Sequence, residues 1–154
     1  MTQKFVSKNN LNKLDNEMFR DILLVDFPLL FKDNSSTESL VSPIYCRSGW
    51  NGLIYGISES LNDVLFDLNK IYPHAKIKVN HIREKFGRLS YFANINGFPK
   101  NIKDMVIYFI REKSEESKRT CETCGNEGQF RDDLRWIKTL CNEHYYDEHR
   151  KQKG

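Results

Sequence analysis

Only four of the 154 residues are cysteine, and a chain of this length buries enough core to fold without disulfides. No run approaches the ~18 apolar residues of a membrane span. The N-terminal stretch MTQKFVSKNNLNKLDNE has none of the apolar centre of a secretory signal. Internal repeats and low-complexity tracts are absent, and 39% hydrophobic with 12% aromatic residues is too apolar for a disordered chain. These absences predict a soluble cytosolic protein, where clustered cysteines bind metal more often than they pair. A Ser-centred nucleophile elbow, a Gly-rich phosphate loop and an H-E-x-x-H helix are also missing.

The formal net charge is +3, which says little by itself. Its distribution says more. Lys76, Lys78, Arg83, Lys85 and Arg88 fall in one short stretch against a single acid, Glu84. Such a strip is either a solvated strand face or an anion-binding surface.

Apolar periodicity outlines the elements. Leu11, Leu14, Met18, Ile22 and Val25 predict a helix over 11–25, stopped by Pro28. Lys32 to Ser39 reads as a loop, and the chain stays irregular through Pro43 to Trp50. Leu53, Ile54, Ile57, Leu61, Val64, Leu65 and Leu68 then trace the strongest stripe, a helix over 50–70 that Ser48 could cap. Ile77 and Val79 alternate with polar neighbours, as do Leu89, Tyr91 and Ala93. With Gly87 between the two runs, they predict an antiparallel hairpin with its tip at 85–88. Ile102, Met105, Val106, Phe109 and Ile110 mark a helix over 101–117 after Pro99. KSEESKRT reads as a charged exit from it, and HRKQKG as a frayed basic tail.

The cysteines are crowded. Cys121 and Cys124 form C-x2-C, and Cys141 and His144 form C-x2-H further on. Zinc takes four sulfur or imidazole ligands in a tetrahedron, and two closely spaced pairs supply them. Gly125 lets the backbone turn behind the first pair, and the second pair suits a helix start. Leu134, Trp136 and Ile137 could form a short strand or hairpin over the metal. Four protein ligands close a site, so the expected role is structural, with zinc stapling the C-terminal third. The competing readings are a redox C-x-x-C and unrelated core thiols.

The working surface is then expected at the hairpin tip, HIREKFGRLSYF. Arg83, Lys85 and Arg88 could hold phosphate while Phe86 stacks on a base. Alternatively, Phe86 packs on the last helix and the charges only solvate the turn. Trp50, at the start of the strongest helix with Arg47 close by, is either a second stacking ring or a core anchor. Cys46 reads as a small buried residue, and His74 and His81 carry no assigned chemistry.

The order GW before an amphipathic helix, then REKFGRLSYF, then CETCGNEGQFR…WIKTLCNEH, resembles a family of small proteins common in bacteriophages and prophages. The resemblance covers Gly49 to His144. That family usually shows Lys-Glu-Lys-Phe-Gly-Gly-Leu-Arg-Phe-Tyr at the hairpin. Lys85, Phe86, Gly87 and Leu89 match; Arg88 replaces the second glycine and Ser90 the arginine. Arg88 and Ser90 share a strand face, so Arg88 could supply the guanidinium from a neighbouring place. The resemblance implies an accessory protein acting in the cytoplasm of a bacterial host. By analogy, it could capture the nucleotide signals of host immunity.

The expected fold is α+β: a hairpin or small antiparallel sheet packed by helices over 1–118, then a treble-clef-like zinc knuckle and basic tail over 119–154. Three functions follow. The first is binding of a phosphorylated small ligand, a nucleotide or cyclic nucleotide, by Arg47, Trp50, Arg83, Lys85, Phe86 and Arg88. The second is DNA or RNA binding through the basic hairpin and tail. The third is nucleotide hydrolysis, with Glu84 as the nearby base.

Overall fold

The computed structural model describes residues 8–32 and 44–153. The loop expected from Lys32 to Ser39 and the irregular stretch at Pro43 lie outside them, Lys32 excepted. Among the described residues the fold is α+β, with helices around two small antiparallel sheets. No described helix is long and apolar enough to cross a membrane.

The first expected helix is two. α1 (Lys8–Leu11) and α2 (Asn16–Asp26) are separated by a short break, and the Asp15 carboxylate restarts the helix by accepting from the Met18 N–H at 2.8 Å. The break is tertiary in origin. Asn51 donates to the carbonyls of Leu11 and Leu14, while Asn12 accepts from the Gly52 N–H at 2.8 Å. The buried face differs from the apolar stripe in part: Leu11 is buried and Leu14 and Ile22 pack on the core. Phe19 and Leu23 are enclosed, whereas Met18 and Val25 are exposed. Pro28 does not end this helix so much as open the next, occupying the first turn of α3 (Pro28–Phe31).

α4 (Asn51–Leu68) follows a 3-10 turn at Ser48–Trp50 and buries Ile54, Ile57, Leu61 and Leu65. Ser48 makes no capping bond; Asn12 does that work from outside the helix. Gly49 is required because a Cβ there would strike the backbone carbonyls of Cys121 and Glu122. The Gly-Trp pair therefore marks where the helix start is pressed against the cysteine-rich end.

β1 (Lys76–Lys85) and β2 (Arg88–Asn96) pair antiparallel, joined by Phe86 and Gly87. Ile77 and Val79 point into the core. A bulge between Val79 and His81 then shifts the phase, so that Ile82 is the next inward residue. Tyr45 extends the sheet at the β1 edge, accepting from the Glu84 N–H and donating to the Ile82 carbonyl. Lys78 caps the end of α3 by donating to the Leu29 and Lys32 carbonyls, so it is architectural.

α5 (Lys100–Glu115) packs on β2 through Val106, Ile110 and Ser114, and runs on into a 3-10 turn at Glu116–Arg119. The segment read as a charged exit is thus ordered. Buried Ser117 accepts from the Leu89 N–H at 2.8 Å and donates to the Ser114 carbonyl. β3 (Gln129–Arg131) and β4 (Lys138–Leu140) form the second sheet, and α6 (Asn142–Lys153) carries the tail expected to fray. The expected hairpin over the cysteines exists, but Leu134, Trp136 and Ile137 sit in its loop rather than its strands.

Candidate functional site

The cysteine cluster assembles as its spacing implies. Cys121 and Cys124 lie in the turn before β3, Cys141 immediately precedes α6, and His144 is in that helix's first turn. One ligand atom from each falls within 4.8 Å of all the others. Cys141 Sγ and Cys121 Sγ lie 3.2 and 3.6 Å from His144 Nδ1, and Cys124 Sγ lies 3.9 Å from Cys141 Sγ. A tetrahedron with metal–sulfur bonds of ~2.3 Å has edges of about 3.6–3.8 Å, and the separations here bracket that value, so the cluster can hold a metal ion once the side chains adjust. Nδ1 is the imidazole atom that faces the sulfurs.

Two of the thiols are shifted in opposite directions. Burial raises the Cys121 thiol, but hydrogen bonds from the backbone of Cys141, Cys124 and Thr123 outweigh that and bring it down to about 7. Burial, then crowding by Cys121 and Cys141, pushes Cys124 up to about 11. A cation between them removes the repulsion that opposes three thiolates.

The cysteine-rich end grips the core at several points. Trp50 Nε1–H donates to the Thr120 carbonyl at 2.8 Å, and the Gly49 N–H donates to the Glu122 carbonyl. Trp50 is wholly enclosed, so no ligand can stack on its ring; it is a core anchor. Arg47 pairs with Glu148 of α6 at 2.5 Å and donates to Thr123, which commits its guanidinium to joining α6 to the core. Neither residue lines the concavities at the hairpin tip.

The tip itself is held by the second sheet. Thr139 Oγ1 donates to the Gly87 carbonyl at 2.7 Å. Gly87 has φ +78°, and a Cβ there would press within 2.9 Å of the Phe130 ring and 3.0 Å of Ile137. Glu84 accepts from the Gly87 N–H at 2.5 Å, pinning the turn. The preceding residue, Phe86, adopts φ 52°, a conformation that costs a residue with a Cβ about 1–2 kcal/mol. Its ring is 72% exposed.

Between this tip and the end of α5 lies a cleft of about 480 Å³. Lys85, Phe86, Arg88 and Ser90 line it from the hairpin. Arg111 and Lys118 face them from α5 and its 3-10 extension, and Phe130 from β3. Arg88 and Ser90 do share a face. Arg83 lies on the other side of the tip. Glu115 bridges two of the cations, 2.6 Å from Arg88 and 3.7 Å from Lys118, and Lys118 also sits over the Phe130 ring at 5.3 Å. Four cations face one carboxylate, so the cleft is electropositive. His81 registers the same field on the outer side: burial first, then Arg83 and Lys85, lower its affinity for a proton.

Arg111, Lys118 and Phe130 were not among the residues the sequence singled out. Arg111 and Lys118 are seven apart with Ser114 between them, which places all three on one helical face. Small serines amid a cationic stripe were the available signal. The chain matches no protein-family model, no curated protein and no solved structure.

Proposed function

We propose that the protein binds a phosphorylated small ligand of the nucleotide class in the cleft between the hairpin tip and α5. One observation supports this reading: Lys85, Arg88, Arg111 and Lys118 converge on a single concavity walled by Phe86 and Phe130. Guanidinium and ammonium groups grip phosphate, and an exposed ring offers its face to a base. Phe86 combines a strained backbone with a solvated ring. Packing against α5 would have buried that ring, whereas a recognition role accounts for both features.

The Cys3His cluster is assigned zinc on ligand chemistry, since three thiolates and an imidazole suit that ion. Its four protein ligands make the site closed and structural, and the hairpin followed by α6 reads as a treble-clef-like knuckle. With about −1 net charge on the loaded site, it attracts no phosphate. The resemblance to phage and prophage proteins supplies a setting: an accessory protein in a bacterial cytoplasm that sequesters a nucleotide, or a cyclic nucleotide signal, from host immunity.

Two other readings are weaker. A nucleic-acid module tracking a duplex needs a basic tail, yet α6 reads NEHYYDEHRKQK, its acids balancing its lysines and arginine. A hydrolase needs a base at the strip, and Glu84 is engaged in holding the turn.

Lys85→Ala with Arg88→Ala tests the proposal. Each charge-assisted hydrogen bond contributes about 1.5–3 kcal/mol, so the affinity for ADP, measured by calorimetry, should fall about 100-fold or more. The melting temperature should hardly move, because a surface pair such as Arg88–Glu115 contributes about 0–1 kcal/mol. Unchanged ADP affinity sinks the reading, and a large loss of stability makes the strip architectural.

A further inference from the structure

The tip has a second side. Arg83, Glu84, Lys85, Phe86, Trp136 and Lys138 line a separate depression of about 430 Å³, the Glu84 carboxylate being taken up by the Gly87 N–H. Lys85 and Phe86 line both concavities, so the strained phenylalanine stands as a partition between them. Trp136 is 66% exposed, an unusual position for the largest apolar side chain. The loop carrying it is nevertheless held in place. The Arg135 N–H donates to Gln152 of α6 at 2.7 Å, and neighbouring Ile137 packs on Gly87 at the tip. The Arg135 guanidinium lies 5.9 Å from the Trp136 ring. Lys138 is directed toward the buried Glu122 at 3.8 Å, which leaves Arg83 and Lys85 as the exposed cations of this side.

Phe130 on one side and Trp136 on the other, with Phe86 and Lys85 on the partition between them, fit a particular chemistry. A mononucleotide has one base and would fill one side only. A ligand with two bases joined by a phosphodiester can place a base on each side, with the bridging phosphate over Lys85. We infer that the tip takes a dinucleotide step, with Trp136 stacking on the second base while Phe86 separates the two. This rests on the phosphate cleft proposed above and extends it by naming the ligand class.

The chain offers its own reporter. It has two tryptophans; Trp50 is wholly enclosed and Trp136 is exposed, so a ligand-dependent change in tryptophan fluorescence reports on Trp136. The metal-loaded protein is titrated with AMP, the linear dinucleotide pApA and the single strand dA12. One stacked base is worth about tenfold or more in affinity. pApA should therefore quench the fluorescence and bind at least about tenfold more tightly than AMP. Trp136→Ala should bring pApA to the AMP value while leaving AMP itself within about twofold. A free dinucleotide as the source gives equal affinity for pApA and dA12 per dinucleotide step; a single strand gives dA12 binding tighter than its number of steps accounts for, with a steeper salt dependence. Equal affinity for AMP and pApA, or a preference that survives Trp136→Ala, overturns the inference and leaves the phosphate cleft standing. Failure of AMP, pApA and dA12 alike to bind overturns both.

Discussion

Cys124→Ser is expected to release the metal and unfold at least the C-terminal third of the protein. The cluster around Cys121, Leu134 and Leu140 is small. It cannot offset the conformational entropy of ordering the two sheet strands, their loop and α6 unaided. Binding free energies of about 10–16 kcal/mol for structural zinc are also folding free energies. They match or exceed the whole stability of a typical domain, about 5–15 kcal/mol. The damage should spread to the proposed recognition surface, because Thr139 and Phe130 hold the hairpin tip from within the β3–β4 hairpin beside the cysteine cluster. Metal content by mass spectrometry, near-ultraviolet circular dichroism and a thermal melt check this together. A variant that keeps its full metal content and melts with the parent would remove the metal argument.

Trp50→Ala should be the most damaging change outside the metal cluster. Truncating a buried Trp costs about 3–5 kcal/mol, and the Thr120 carbonyl loses its indole donor, adding about 1–3 kcal/mol. The melting temperature should drop by about 10–20 °C. Below the melt, ADP affinity should stay within about twofold, since the enclosed ring lines neither concavity at the hairpin tip. A variant that melts normally but no longer binds nucleotide would restore Trp50 to the stacking role its Gly-Trp motif allowed.

Much of this molecule was legible where the signal is local. The α4 stripe, the alternation of the hairpin and the paired spacings of Cys121, Cys124, Cys141 and His144 each reflect a period or a turn within one segment. Departures come from long-range partners. Leu11 to Val25 keeps a helical period across a break held by the bonds of Asn51 and Asn12 between this segment and α4, and Phe19 and Leu23 join Leu11 in the core while Met18 and Val25 stay exposed. Helical hydrogen bonding to Lys153 likewise replaces the expected frayed tail. Half of the cleft was invisible for the same reason. Whether Arg111 and Lys118 face solvent or the hairpin depends on how α5 lies on β2, which Ser117 settles by its bond to the Leu89 N–H. Arg47 and Trp50 looked available because nothing nearby in sequence reveals Glu148 or Thr120 as their partners.

The most direct test of where recognition occurs is amide hydrogen exchange of the metal-loaded protein with and without saturating ADP. Slowed exchange confined to Lys85–Tyr91 and Ile107–Lys118 is the predicted result. Protection centred instead on Arg47–Trp50 or on the cysteine turns, with the hairpin tip exchanging as before, would contradict it.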